Sequence, residues 1–264
     1  MNSTAYELLA CIRERQPLVH HLTNWVTIYD CAQVVKSLGA SPVMAHAREE
    51  VTDMAQIASA LVLNIGTLTI ELVEAMKLAA EAAGQKGIPV ILDVCGAGAT
   101  PLRDQKVLEL LDSRRVSIIK GNASEIARVA GARVKTKGVD ASEVESDLEE
   151  LARGLAIERK ATVVVTGAQD LVTDGHRFFR VNNGHAIMTA VVGTGCMATS
   201  VIGTFAAVEP DLCVAATAAL AVYGVAAEVA AQKEIGPSAF KQSLFDSLYS
   251  LDQETIEARQ SIER

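Results

Sequence analysis

Gly193-Thr194-Gly195, followed by Cys196 and a small-residue run to Ala206, is the stretch of this chain best suited to meet a negatively charged ligand. Glycine lets a backbone approach a ligand closely. The first N–H groups of a helix have no partner within it and face an arriving anion together with the positive end of the helix dipole. Phosphate charge is the natural guest. A β-branched, apolar lead-in ending at Val191-Val192 runs into the triplet. Cys196 falls at the helix N-terminus, where a thiol pKa is lowered towards neutrality, so it is a candidate acceptor for a hydroxyl proton. Other chemistry-bearing residues close apolar runs elsewhere. Asp93 precedes the glycine loop "VCGAGAT", which sets a carboxylate beside closely approached backbone, and Lys120 opens onto Gly121-Asn122-Ala123-Ser124-Glu125. Asn122 with Glu125 is also the pattern of an Asn helix cap with a reciprocating Glu, and taken alone the pair favours the cap.

Such residues meet only if the elements carrying them share an edge. Thr4 with Glu7 predicts a capped first helix to about Arg15, ended by Pro17, and "PLVHHLTNWVT" a short strand and a loop. A helix from about 28 to 38 stops at Gly39 and leads into "ASPVMA", with Met44 at its exit. Met44 is either core filler or the wall of a pocket for a flat heterocycle. Helices near 52–59 and 69–83 alternate with the apolar runs "ALVLNIG", "PVILD", "VSIIK" and "TVVVTG". Continuous apolar strands alternating with helices predict a parallel sheet covered on both faces, and right-handed crossovers put the strand C-termini on one edge, where ligands bind. Ser142 with Glu145 predicts a cap on an acidic helix, "LVTDGHRFFRV" a hairpin at Asp174-Gly175, and residues beyond 195 a nearly all-helical end. Neighbouring His20 and His21 point to opposite faces of a strand and read as structural, and His176 and His185 flank turns without assigned chemistry.

Composition narrows the classes. The 264 residues are half apolar but only 4% aromatic, which suits an Ala/Val/Leu/Ile core in one α/β domain, and a net charge of −8 argues against a nucleic-acid partner. Five scattered cysteines without metal-ligand spacing, and charged Glu7, Arg13, Glu14 and Arg15 where an export signal needs apolar residues, predict a reduced, cytoplasmic setting. The uncharged runs 186–208 and 212–227 are long enough to raise a membrane span. Their Gly, Ala and Thr content and the lack of flanking basic clusters fit two closely packed core helices better. Gly193, Gly195 and Ala198 also satisfy a dinucleotide fingerprint with Asp211 as its acid, but the residues around Asp211 read as helix where that motif needs a strand.

Taken together and in this order, "LTNWVT", "GASPVMA", "LVLNIGTL", "PVILDVCGAGAT", "IIKGNASEI", "VVVTGAQDLVTDG" and "GTGCMATSVIGTF" resemble the hydroxyethylthiazole kinase family of the ribokinase-like fold. The resemblance implies an α/β ribokinase-like domain over residues 1–264, with a mostly parallel central sheet between helices. It implies transfer of the ATP γ-phosphoryl to 4-methyl-5-(2-hydroxyethyl)thiazole for thiamin salvage. By resemblance, Gly193, Thr194, Gly195 and Cys196 form the anion hole, and Met44 and Gly193, with Asn24 and Val26 nearby, contact the thiazole. Lys120 and Thr166, with neighbouring Asn122, match ATP positions, and Asp93 and Glu125 the carboxylates near Mg²⁺ and the phosphates. It further implies a homotrimer with sites between subunits, and an Asp general base in related sugar kinases where Cys196 stands. Two departures are visible. Asp93-Val94-Cys95 replaces the family's frequent Asp-Pro-Val, which loosens the loop, and Lys120 replaces an Arg, which keeps charge but gives up bidentate geometry. A kinase for another alcohol such as a hydroxymethylpyrimidine, an NAD-dependent oxidoreductase and a thiazole-sensing binding protein are the alternative readings.

Overall fold

The computed structural model describes residues 4–131, 141–232 and 236–264. The chain opens with α1 (Ala5–Arg15), which carries the expected Thr4–Glu7 capping box, then β1 (Leu18–Leu22), α2 (Ile28–Ser37) and β2 (Ser41–Val43). There follow α3 (Val51–Ile57), β3 (Ala60–Asn64), α4 (Ile70–Lys86), β4 (Val90–Asp93), α5 (Pro101–Asp112), β5 (Ile118–Asn122) and α6 (Ala123–Val129). Next are α7 (Ala141–Arg159), β6 (Thr162–Thr166), β7 (Asp170–Thr173) and β8 (Phe178–Val181). A short 3₁₀ turn (Ala186–Ala190) leads to α8 (Thr194–Ala206), α9 (Leu212–Ala231), α10 (Pro237–Ser250), α11 (Gln253–Arg259) and a closing strand β9 (Ile262–Glu263). The cap expected at Ser142 and Glu145 lies outside the described side chains.

The strands form one sheet in the order β2-β1-β3-β4-β5-β6-β7-β8-β9, parallel from β2 to β6 and antiparallel beyond. Alternate residues of the central strands feed two apolar cores, because a strand buried on both faces has no solvent side. Val19, Val62, Ile91, Ile118 and Val164 pack with α1, α2, α8, α9 and α10, while Leu61, Leu63, Leu92, Ile119 and Val163 pack with α4, α5 and α7. The Asp174-Gly175 hairpin is present, with Gly175 at φ 90°.

Helix α9 is long and apolar enough to cross a membrane, yet 83% of its apolar window is buried within the protein, against α8, α10 and the sheet. It is a core helix. Asp211 caps it, accepting from the Cys213 and Val214 N–H groups, and pairs with Arg177, which removes it as a ribose-binding acid. The lead-in to Gly193 begins as a turn and is extended only at Val191. His185 Nδ1 accepts from the Ile187 N–H, and the chain turns through Ala186–Ala190 instead of joining the sheet, whose edge beside β8 is taken by β9. Local β-propensity there loses to the absence of a free strand to pair with.

Candidate active site

Along the face that meets α8, each central strand carries a polar residue two positions beyond a core residue. Val62 is followed by Asn64, Ile91 by Asp93, Ile118 by Lys120 and Val164 by Thr166. Asn64, Asp93 and Lys120 are register partners across β3, β4 and β5, so their side chains meet by strand geometry alone. Asp93 Oδ2 accepts from Thr199 Oγ1 at 2.7 Å, from Asn64 Nδ2 at 2.9 Å and from Lys120 Nζ at 3.3 Å. Its other oxygen, Oδ1, is buried without a partner. An unpaired carboxylate oxygen in a dry setting costs free energy unless a cation or donor completes it.

Lys120, 4% exposed, also donates to the Gly195 carbonyl at 3.0 Å. Burial alone would lower its pKa, but Asp93, Cys196 and Glu125 raise it, and the net shift is upward. It stays an ammonium, tying the end of β4 to the first turn of α8. Gly193 adopts φ 92° at the N-terminus of α8, and a Cβ there would lie 2.3 Å from Thr27 Cγ2, so only glycine fits. No side chain caps this helix, which leaves its first N–H groups for a ligand.

Cys196 sits in that first turn. Asn24 Nδ2 donates to its Sγ at 3.3 Å and to Asn64 Oδ1 at 3.1 Å, while Asn24 Oδ1 accepts from the Val26 and Thr27 N–H groups. The Cys196 pKa is lowered. A hydrogen bond from the Cys95 thiol is the largest cause, opposed by burial and Asp93 and aided by Lys120. Cys95 is driven the other way.

The cap reading of Asn122 and Glu125 holds: Asn122 Oδ1 accepts from the Glu125 N–H, and Glu125 Oε2 from the Asn122 N–H. Glu125 Oε1 also accepts from Gly96 N–H at 2.7 Å, so the carboxylate fastens the glycine loop to the β5–α6 turn. Thr166, with Gly167, Asp170, Thr194, Gly195 and Tyr223, lines a cavity of about 580 Å³ beside the α8 N-terminus, a size that suits a small ligand. Met44 follows β2 and is half-buried, and Val26 is 66% exposed while its N–H donates to Asn24 Oδ1. His20 and His21 are buried, bonded to the Ala45 and Val19 carbonyls, and burial pushes His21 down to about 3, in keeping with a structural role.

Sequence reasoning missed Asn64, Thr199, Asp170 and Tyr223. Asn64, polar at the end of an apolar run, carried the same signal as Asp93. Thr199 lies one turn beyond Gly195, where i and i+4 share a helix face. Tyr223, whose hydroxyl donates to the Thr194 carbonyl, had no local signal, because α9 reads as uniformly apolar. His185, left without chemistry, also lines the cavity.

A parallel α/β sheet with an uncapped glycine-led helix, a buried carboxylate and a fixed ammonium at its C-terminal edge defines a phosphotransferase of the ribokinase-like fold. Among solved structures, the pyridoxal kinase of Bacillus subtilis in an ADP complex matches at a TM-score of 0.61 with 15% identity, covering 81% of this chain and 92% of that one, which bears on the fold. The hydroxyethylthiazole kinase of Pyrococcus horikoshii matches at a TM-score of 0.90 with 40% identity over 98% of both chains. The hydroxyethylthiazole kinase of Methanosarcina mazei is 52% identical over 255 residues, 97% of this chain and 98% of its own. That of Moorella thermoacetica is 50% identical over 245 residues, 93% and 92% of the two chains. The family model described as "Hydroxyethylthiazole kinase family" matches residues 9–254, and the chain belongs to that family. It is a kinase, and the reaction is phosphorylation of the thiazole alcohol.

Proposed function

We propose that this chain phosphorylates the hydroxyethyl group of 4-methyl-5-(2-hydroxyethyl)thiazole with ATP, at the edge where Asp93, Lys120, Cys196 and the α8 N-terminus converge. The observation that carries this reading is the buried, unpartnered Asp93 Oδ1 beside an uncapped helix start. Phosphoryl transfer through a loose transition state is catalysed chiefly by positioning and by stabilising charge on the transferred group. The N–H groups of Thr194, Gly195 and Cys196 do the second job, and the Lys120 ammonium adds charge beneath them. Thr166 and the 580 Å³ cavity hold the nucleotide, with Asn122 at the end of the neighbouring strand.

The donor set fits Mg²⁺, a hard cation that takes oxygen ligands. Asp93 Oδ1 would hold it, and Glu125, with both oxygens already accepting backbone N–H groups, contributes charge from one layer further out. When bound, the ion neutralises phosphate charge. The Cys196 thiolate accepts the substrate hydroxyl proton, while Asn24 holds the sulfur in place. Met44, Val26 and the Gly193 backbone form the thiazole side of the site. Exposed Trp25, Val26, Tyr29 and Val192, 54–72% accessible at that end, supply the apolar surface for a trimer with sites between subunits. Five free cysteines accord with a cytoplasmic setting.

Transfer assayed across a Mg²⁺ titration, with wild type and Asp93→Asn, tests the assignment. The expected outcome is metal-dependent product in wild type, and a loss of kcat in the variant that added Mg²⁺ does not restore. Equal kcat in both proteins would remove Asp93 from the reaction centre.

A further inference from the structure

Glycines let the loop beyond Asp93 bend, yet its backbone is held at successive residues. Val94 N–H donates to the Lys120 carbonyl at 2.9 Å, a bond that proline could not make, and Gly96 N–H to Glu125 Oε1 at 2.7 Å. Arg103, in the first turn of α5, supplies a third hold. Its Nη1 donates to the Cys95 carbonyl at 3.0 Å and to the Ile65 carbonyl at 2.8 Å, while Nη2 donates to the Gly66 carbonyl at 2.8 Å. A Cβ on Gly96, at φ 80°, would lie 2.9 Å from Nη1, so the guanidinium rests directly on the loop backbone. Among the described residues Arg103 makes no salt bridge, and its acidic neighbour Asp104 is paired with Arg128. We propose that Arg103 is a positioning residue of the transfer reaction, one that grips the loops after β3 and β4 together and thereby keeps Asp93 oriented with Oδ1 free.

The bonds close a ring around Asp93. On one side Arg103 reaches it through the Cys95 carbonyl, further along the same loop. On the other it holds the Gly66 carbonyl, Gly66 N–H donates to Asn64 Oδ1 at 2.8 Å, and Asn64 Nδ2 donates to Asp93 Oδ2 at 2.9 Å. The direction of the Asn64 amide is fixed, because its oxygen accepts from both Gly66 and Asn24 and its nitrogen is left for Asp93. With Thr199 and Lys120 also donating, Oδ2 is fully engaged, and Oδ1 is the oxygen without a partner. A guanidinium suits this task. Its planar fork carries five donors, whereas a lysine ammonium presents the same charge from one atom and serves three carbonyls on two loops poorly. Bonds from a charged donor are also stronger than neutral ones.

This inference rests on the kinase reading for its role in transfer, and hydrogen exchange on the metal-free protein tests the clamp without it. Peptides covering 65–68 and 94–99 are followed in wild type, Arg103→Lys and Arg103→Ala. The same proteins are assayed for kcat, for KM of the thiazole alcohol and for unfolding temperature. The expected result is faster exchange in both loops of each variant and a fall in kcat of about 100-fold, the scale of a small misplacement at a reaction centre. The thiazole KM should stay unchanged, since Met44, Val26 and Gly193 belong to other segments. Guanidinium ion added to Arg103→Ala should restore part of kcat and slow exchange in both loops, where methylammonium at equal concentration does neither. Wild-type exchange in either loop, wild-type turnover in Arg103→Lys, or equal losses of kcat and thiazole affinity with a lower unfolding temperature would overturn the proposal. Absence of product from wild type would overturn the kinase reading and with it the role in transfer, while the exchange pattern still decides whether Arg103 clamps the loops.

Discussion

Cys196 divides the possible mechanisms most sharply. A general base contributes about 10²- to 10⁴-fold, so Cys196→Ala is expected to lower kcat by at least about 100-fold with little change in KM. A smaller loss would leave catalysis to the anion hole and positioning. The thiolate should also appear in an alkylation profile, with the Cys196 labelling rate rising below the ordinary thiol value of about 8.5. Asp93 is a different case, because it balances a buried ammonium. Asp93→Asn leaves Lys120 without its counter-charge, a loss of about 3–5 kcal/mol for a broken buried pair. Adding Lys120→Met should restore much of the stability and none of the turnover, as read by thermal unfolding beside kcat. Burial raises Asp170 to about 6, against the lowering from the Gly167 N–H and Lys120. Between its ordinary value near 4 and about 6 the folded protein binds more protons at this site than the unfolded chain, so its contribution to stability falls as pH rises through that window. Asp170→Asn should therefore gain stability relative to wild type as pH rises from about 4 to 7, and a parallel pH dependence in both proteins would contradict it.

At the scale of elements, α8 has two jobs that separate cleanly. Its start presents N–H groups, and its middle lies so close on the sheet that a Cβ at Gly203 would fall 2.4 Å from Val62 Cγ2. Gly203→Ala is expected to cost about 1–3 kcal/mol of stability through overpacking. At Gly195 an added Cβ meets only the Lys120 Nζ, at 3.3 Å. Gly195→Val should therefore abolish transfer with a near-native unfolding temperature, and intact turnover would remove the anion hole from the account. Much of this was legible in the chain, because the apolar runs of β4, β5 and β6 switch to Asp93, Lys120 and Thr166. The order of strands in the sheet was not, since periodicity carries no information on which strands pair. Helix α5, strand β9 and the turn before Gly193 gave no distinct signal.

For the whole molecule, the arrangement is one sheet whose C-terminal edge holds every residue assigned to chemistry, with an apolar rim at its β1–α2 side. Trp25, Val26, Tyr29 and Val192 are more exposed than a stable surface of large apolar groups favours. If that rim joins the subunits of the proposed trimer, Tyr29→Lys should yield monomer in sedimentation and lower activity with it, whereas an unchanged assembly state would contradict that role for the rim. Substrate identity, by contrast, was readable only through the joint resemblance of seven motifs. Met44, Asn24 and Val26 taken singly are compatible with a core, a turn and a surface.

The most direct test of the account is phosphoryl transfer by the purified protein with Mg²⁺-ATP and hydroxyethylthiazole, run beside hydroxymethylpyrimidine and ribose, with products identified by mass. The account predicts thiazole monophosphate, formed only with the metal and in clear preference to the other two products. Tight thiazole binding without any phosphorylated product, or preferential phosphorylation of another alcohol, would contradict it.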